Sequence, residues 1–378
     1  MKKLKKMILY LLSFLLLLGV ITILFINIDP TFGGNPTKEQ KEMYQHLNNY
    51  VNGKFINEGL TELVINPSDA SSTNEGSASE AKDRNPTGLI PVSAIDWNKI
   101  KSENDSLTWF GHSAFLLSID NKKLLIDPML SPIASPVSFV RIKRYNYSED
   151  IMLHLIDEMP RIDAVFITHD HYDHLDYQSI VKLNSKVSHF FVPLGVGAHL
   201  VRWGIPKEKI TELNWFEEME YQGLTVALTP ARHFSGRDPF NIDTTLWGGW
   251  VILGNNTRLY TSGDTGYGTH FKEIGKKYGS FDITLIEGGQ YDQSWSDIHM
   301  IPEQSVQANL DVNGKTMMLM HWGAFTLANH GWNEPIERAL KEANKREVNL
   351  IAPEIGETVL LDSLDSDLQI SPTSWWDF

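Results

Sequence analysis

From Met7 to Ile26 the chain is an unbroken run of uncharged, mostly apolar residues. As a helix, twenty such residues rise about 30 Å, the thickness of bilayer hydrocarbon. The pattern predicts a membrane-spanning helix over 7–27, after a basic stub at 1–6. Lysines at 2, 3, 5 and 6 precede the run, which would keep the amino terminus cytoplasmic and put the remainder outside. A cleaved signal peptide is the competing reading. Its apolar region is normally about 7–15 residues long and closes on a small-x-small site. This run is longer and no Ala-x-Ala comes after it. The favoured expectation is a single-pass anchor in the cell membrane with an extracellular catalytic domain.

Residues 28–85 are polar and rich in small side chains, so they are expected as a linker, most flexible over 67–79. Only 38–51 has helix-like composition, enough for a short docking helix. From 86 the pattern changes. Short β-rich runs recur at 107–110, 114–117, 123–126, 164–168, 224–228, 250–253, 258–261, 283–286 and 317–320, each ended by a polar or glycine turn. Helical periodicity falls at 177–183, 270–277, 302–311 and 335–343. Strands in runs with interspersed helices predict two sheets covered by helices, in one domain over 86–363. The acidic tail 364–378 ends Trp375-Trp376-Asp377-Phe378 and is expected to be peripheral.

Composition narrows the chemistry. None of the 378 residues is cysteine, which excludes disulfides, thiolate zinc sites, iron–sulfur clusters and a cysteine nucleophile. The net charge is −14, and setting aside the four lysines before the apolar run leaves −18 on the rest. Such a surface has no basic stripe for nucleic acid. It would be repelled by anionic headgroups unless a tether or a local patch held it there.

The densest chemistry is His169-Asp170-His171-Tyr172-Asp173-His174, straight after the apolar run 164–167. Three imidazoles and two carboxylates this close would repel one another on protonation and gain little from packing. A metal site explains them. Three further strands run into a potential ligand: 225–228 towards His233, 258–261 towards Asp264 and 317–320 into His321. Taken singly, each has a bland explanation as a satisfied histidine or a turn aspartate. Together they can converge on one crevice at the carboxyl ends of strands. Nitrogen and carboxylate ligands suit zinc, with iron or manganese as alternatives.

The His-x-His-x-Asp-His pattern, with His233, Asp264 and His321 in order behind it, resembles the metallo-β-lactamase superfamily. The stretches Trp109-Phe110-Gly111-His112-Ser113, Ile126-Asp127-Pro128, 134–137, 168–177, 246–250, 263–267 and 321–325 resemble the branch of N-acyl-phosphatidylethanolamine-hydrolysing phospholipase D. A neighbouring lactonase branch is similar but less close. The resemblance spans roughly 87–355. It implies a four-layer αββα sandwich behind the amino-terminal helix and two zinc ions per chain. One would be held by His169, His171 and His233, the other by Asp173, His174 and His321, with Asp264 bridging. Asp173, Asp264 and His321 are then the expected catalytic residues, around a metal-bridging hydroxide that attacks phosphorus or a carbonyl carbon.

His112 and Asp127 are candidates to orient ligands or substrate, as are Glu287 and His330 more weakly. His299 has a comparably weak signal, and Asp170 reads as a turn residue. Glu287 departs from the eukaryotic phospholipases, where no acid stands, and if it lines the pocket it argues against a lipid. Tryptophans 247, 250, 295 and 322 are either core or an apolar groove. The leading expectation is therefore a phospholipase D-type phosphodiesterase acting on phospholipids. The alternatives are a lactonase or other hydrolase of a soluble metabolite and, behind it, a non-catalytic metal-binding module.

Overall fold

The computed structural model describes residues 2–57, 83–102, 105–137, 142–149, 152–364 and 374–377. Helix α1 (Lys2–Ile28) has no buried face, and its Lys3–Ile28 portion is long and apolar enough to cross a membrane. The segment directly after α1 is not a loose linker. A 3-10 turn over Pro30–Phe32, helix α2 (Lys38–Tyr44) and a hairpin of β1 (Tyr50–Val51) and β2 (Lys54–Phe55) form an arm packed on the domain. Thr37 and Gln40 close a capping box on α2, which satisfies two backbone donors at its start. Phe32 is buried, and Tyr44, Tyr50 and Phe55 join the main core with rings 4.8–5.6 Å apart. The expected linker over 28–85 is thus corrected over 29–57. A few aromatic residues each bury a large area, and average polarity hides them. The flexible stretch expected at 67–79 lies outside the described residues.

After α3 (Trp97–Lys101) the first sheet begins with β3 (Ser106–Trp109), β4 (Phe115–Ile119) and β5 (Lys122–Ile126). Short helix α4 (Leu155–Glu158), β6 (Ile162–Phe166), α5 (Tyr177–Leu183), β7 (Val187–Pro193), α6 (Gly197–Arg202) and β8 (Ile210–Leu213) continue it. The second sheet takes β9 (Glu218–Tyr221), β10 (Leu224–Thr229), β11 (Gly249–Leu253) and β12 (Arg258–Thr261). It is completed by α7 (His270–Tyr278), β13 (Phe281–Glu287), α8 (Pro302–Asp311), β14 (Gly314–Met320), α9 (Glu334–Lys345) and β15 (Asn349–Ile351). The chain then returns to the first sheet as β16 (Thr358–Leu360), on the edge beside β3.

Each sheet has seven strands, in the orders β16-β3-β4-β5-β6-β7-β8 and β15-β14-β13-β12-β11-β10-β9. Pairing is parallel from β5 through β8 and from β12 through β15, and antiparallel elsewhere. Strands β3, β5 and β6 therefore run the same way, as do β10, β12, β13 and β14. Their carboxyl ends share an edge within each sheet. The sheets meet through Phe166, Phe191 and Trp250, whose ring centroids lie 5.1–6.3 Å apart. The Trp250 indole also donates to Ile167 O at 2.9 Å. Helix α8 packs on β13 and β14, α9 on β15, α3 on β4 and α6 on β8. This is the αββα sandwich.

Trp247, Trp250 and Trp322 are core residues, not groove walls. The tail is not peripheral at its end. Trp375 and Trp376 are buried, and Trp375 stacks on Trp322 at 5.2 Å. Acidity along 364–378 concealed two large apolar side chains that a hydrophobic site would draw in.

Candidate metal centre

Strands of both sheets deliver the site at the edge they share. Asp127 comes directly after β5, the turn His169–His174 begins three residues past the end of β6, and His233 stands four past the end of β10. Asp264 comes after β12, behind Ser262 and Gly263, and His321 directly after β14. Gly263 has φ +59, and a Cβ there would lie 2.7 Å from Gly248 O, so only glycine makes this turn. His112, Asp127 and His321 have positive φ of 57, 38 and 72, strain that persists only where surrounding packing imposes it.

The seven expected ligands come together in two groups. In one, His171 Nδ1 lies 2.9 Å from His169 Nε2 and 3.2 Å from His233 Nε2. In the other, Asp173 Oδ2 lies 3.2 Å from His321 Nε2 and 3.5 Å from His174 Nε2. Asp264 Oδ2 stands between them. It is 3.0 and 3.2 Å from His321 and His174, and 3.9 Å from both His169 and His233. His174 Nε2 and Asp264 Oδ1 are buried without a hydrogen-bond partner. Unpartnered, buried ligand atoms within such a cluster fit cations, which would repay their desolvation.

Outer hydrogen bonds decide which nitrogen faces inward. Thr168 Oγ1 donates to Asp127 Oδ2 at 2.6 Å, so towards His169 Nδ1 at 3.0 Å it is an acceptor. His169 then carries its proton on Nδ1 and leaves Nε2 free. His174 Nδ1 donates to Asp127 Oδ2 at 2.9 Å, and His233 Nδ1 to Ile298 O at 3.3 Å. This is the support expected around metal-ligating imidazoles.

Burial, reinforced by neighbouring imidazoles, holds His169 and His233 well below the usual histidine range. Neutral imidazole is the form that binds a metal. Burial also acts downward on His174 and His321. There the carboxylates of Asp264 and Asp173 outweigh it, raising His174 well above its ordinary value and His321 to about 9. Burial would raise Asp173 and Asp264, but His174 and its neighbouring histidines hold both far below the ordinary carboxylate range.

Comparison with known proteins identifies this arrangement. The family model described as a beta-lactamase superfamily domain matches residues 122–322. The chain belongs to the metallo-β-lactamase superfamily. It is a metal-dependent hydrolase by that membership. An uncharacterized protein of Mycobacterium tuberculosis is 42% identical over 295 residues, covering 77% of each chain. N-acyl-phosphatidylethanolamine-hydrolyzing phospholipase D 1 of Caenorhabditis elegans is 33% identical over 252 residues, covering 63% of this chain and 69% of that one. Among solved structures, a metallo hydrolase of the archaeon Ignicoccus hospitalis superposes with a TM-score of 0.52 at 26% identity. That match covers 68% of this chain and 97% of that one.

Around the seven candidate ligands, the remaining candidates separate. His112 comes closer than a supporting residue need, with Nε2 2.8 Å from Asp173 Oδ2 in the second group. Burial, then the charge of His321, lowers it to about 3 against the pull of Asp173. Asp127 binds Thr168 N, Thr168 Oγ1 and His174 Nδ1, and so aligns the turn. Glu287 is fully buried. Its carboxylate accepts from His299 Nδ1 at 3.1 Å and Met300 N at 3.0 Å, and lies 3.5 Å from His321 Nδ1. Glu287 thus stands behind His321 and His299, grouped with them at the edge of the cluster.

His330 stands apart from both ligand groups, stacked on Tyr291 at 4.2 Å. The sequence gives His299 little weight, because a single histidine in an irregular stretch carries no local signal. In the fold it groups with His233 and Asp264, stacks on His321 at 5.3 Å and is partly exposed. Asp170 is a tie, not a ligand. It accepts from Thr245 Oγ1 at 2.8 Å and Gly236 N at 2.7 Å, and pairs with His199 Nε2 at 3.1 Å.

Proposed function

We propose that the chain is a dinuclear metal phosphodiesterase of phospholipase D type, acting on N-acyl-phosphatidylethanolamine-like phospholipids at the membrane that α1 crosses. The observation that carries the two-metal reading is Asp264 Oδ2 within 3.0–3.9 Å of nitrogens from both histidine groups. His169, His171 and His233 would hold one ion and Asp173, His174 and His321 the other, with Asp264 shared. Zinc suits this donor set. Bound metals would activate water at neutral pH and polarise the scissile oxygen.

The protein's own groups do the rest. Asp127 and Thr168 keep His169 and His174 in the ligating tautomer. Glu287 aligns His321. His299, held through Nδ1 by Glu287 at the partly exposed side of the cluster, leaves its other nitrogen to take a proton from the attacking water and return it to the departing alkoxide. The lipid substrate is supported by the apolar helix and by the phospholipase relative.

A substrate panel tests the reading. Metal-loaded full-length protein is incubated with vesicles containing N-acyl-phosphatidylethanolamine, with lactones and with soluble phosphodiesters. Release of phosphatidic acid and the N-acylethanolamine is expected. Turnover of lactones alone would reassign the substrate class.

A further inference from the structure

Helix α1 is bolted to the metal domain. Arg202 donates to the carbonyls of Asn27, Asp29 and Gly33, and Trp203 Nε1 donates to Pro30 O at 2.7 Å. Arg237 donates to Thr31 O through Nε at 3.0 Å and Nη2 at 2.7 Å. A helix end leaves its last carbonyls without partners; Arg202 fills one of them at Asn27, and Arg202, Trp203 and Arg237 hold the residues that follow. Arg237 is itself buried and lies over the Tyr172 ring at 4.0 Å. Its Nη1 donates to Asp170 O at 2.6 Å, within the histidine turn, and to Leu175 O at 2.8 Å, just after it. One guanidinium thus joins the exit of α1 to the ligand turn.

The loop that carries Arg237 begins just after His233 and is ordered at its base. Asn241 Oδ1 accepts from both Arg237 N and Asp238 N at 2.9 Å. Its tip is apolar and exposed. Phe240 is 71% accessible and Ile242 43%, with Pro239 beside them. Phe240 is three residues from Arg237, hence within about 11 Å of chain. Thr31, which Arg237 grips, is three residues beyond the end of α1.

We propose that the tip at residues 239–242 is a second membrane contact, seated in the headgroup layer beside α1, so that the domain is held in one orientation with its metal-side loop against lipid. This rests on α1 spanning the bilayer. A lipid surface is the occupant that the surroundings favour, because α1 has no buried face and ends at this clamp. The charge of −18 outside the first 27 residues removes attraction to anionic lipid as a means of docking. Apolar insertion remains, and with α1 fixing the distance even a small tip binds as an intramolecular partner at high effective concentration.

The absence of cysteine makes the test direct. Full-length Phe240→Cys, Leu15→Cys and Lys345→Cys are each spin-labelled and reconstituted in phosphatidylcholine vesicles. Accessibility to oxygen and to a water-soluble nickel chelate is then measured. Position 345, exposed on α9, is the aqueous reference and position 15 the bilayer reference. The oxygen-to-nickel ratio at 240 is expected to exceed that at 345 several-fold. An aqueous ratio at 240 with an embedded label at 15 overturns the tip contact and leaves the anchor standing. An aqueous ratio at 15 overturns both. Protection at 240 that tracks protein concentration instead of lipid-to-protein ratio assigns the tip to a second copy, which also overturns the proposal.

Discussion

Asp264 is the residue on which the two halves of the site meet. Its carboxylate lies against histidines of both groups, so Asp264→Ala should release both metals together. Elemental analysis should fall from two metals per chain to below one. Phosphodiesterase activity should fall by roughly 10³-fold, the loss expected when several kcal/mol of charge stabilisation goes. Two metals and full activity in the variant would remove it as the bridge. Asp127 touches no ligand-facing atom, yet it aligns His174 directly and His169 through Thr168. Asp127→Ala should therefore weaken metal affinity by about 10–100-fold in competition with a chelator, without abolishing binding.

The protonation of the cluster has a sign that can be checked. His174 and His321 have raised pKa values, His321 to about 9. His321 at about 9 holds a proton at pH 7, and the upward shift of His174 favours one there as well; a metal must displace it. Metal binding should release protons, visible as different calorimetric heats in buffers of different ionisation enthalpy, and affinity should weaken as pH falls from 9 towards 6. No proton release at pH 7 would count against this account.

Among the elements, the arm over 29–57 has the most practical consequence. It buries Tyr44, Tyr50 and Phe55 in the core, and Asn57 bonds His233 through both N and O. The arm therefore braces the backbone that carries His233. Phe55 is 1% accessible, so Phe55→Ala should cost about 3–5 kcal/mol in denaturant unfolding. A fragment starting at 29 should fold as a soluble metal-binding protein, whereas one starting at 86 should aggregate or lose metal. Equal stability of the two fragments by thermal melting would show that the arm contributes nothing. The boundary of α2 was half legible, because the capping residues Thr37 and Gln40 mark its start. The docking of β1 and β2 was not, because two-residue strands leave no periodic signal.

For the whole molecule, the decisive feature is two seven-stranded sheets whose strand ends meet. The returning tail belongs to that design. Trp375 and Trp376 close a cluster with Trp109, Trp322 and Trp332, and Trp322 is the next residue after His321. Truncation after residue 364 should lower the melting temperature and loosen metal binding together. An unchanged metal content in a destabilised truncate would confine the tail to packing.

Several features were legible from sequence because they are local. The apolar run of α1, the helices at 177–183 and 302–311, and the strands ending in His169, Asp264 and His321 are set by side-chain pattern within a few residues. The six-residue histidine motif announced a metal through its own electrostatics. Strands β8 and β9 were less visible, since four residues each and partial exposure blur their alternation. Other features only the tertiary structure decided. His299 beside Asp264, Glu287 behind His321, Arg237 between the anchor and the ligand turn, and the tail against Trp322 are contacts between residues far apart in the chain. Each depends on which strand ends the two sheets bring to one edge, and no single segment encodes that.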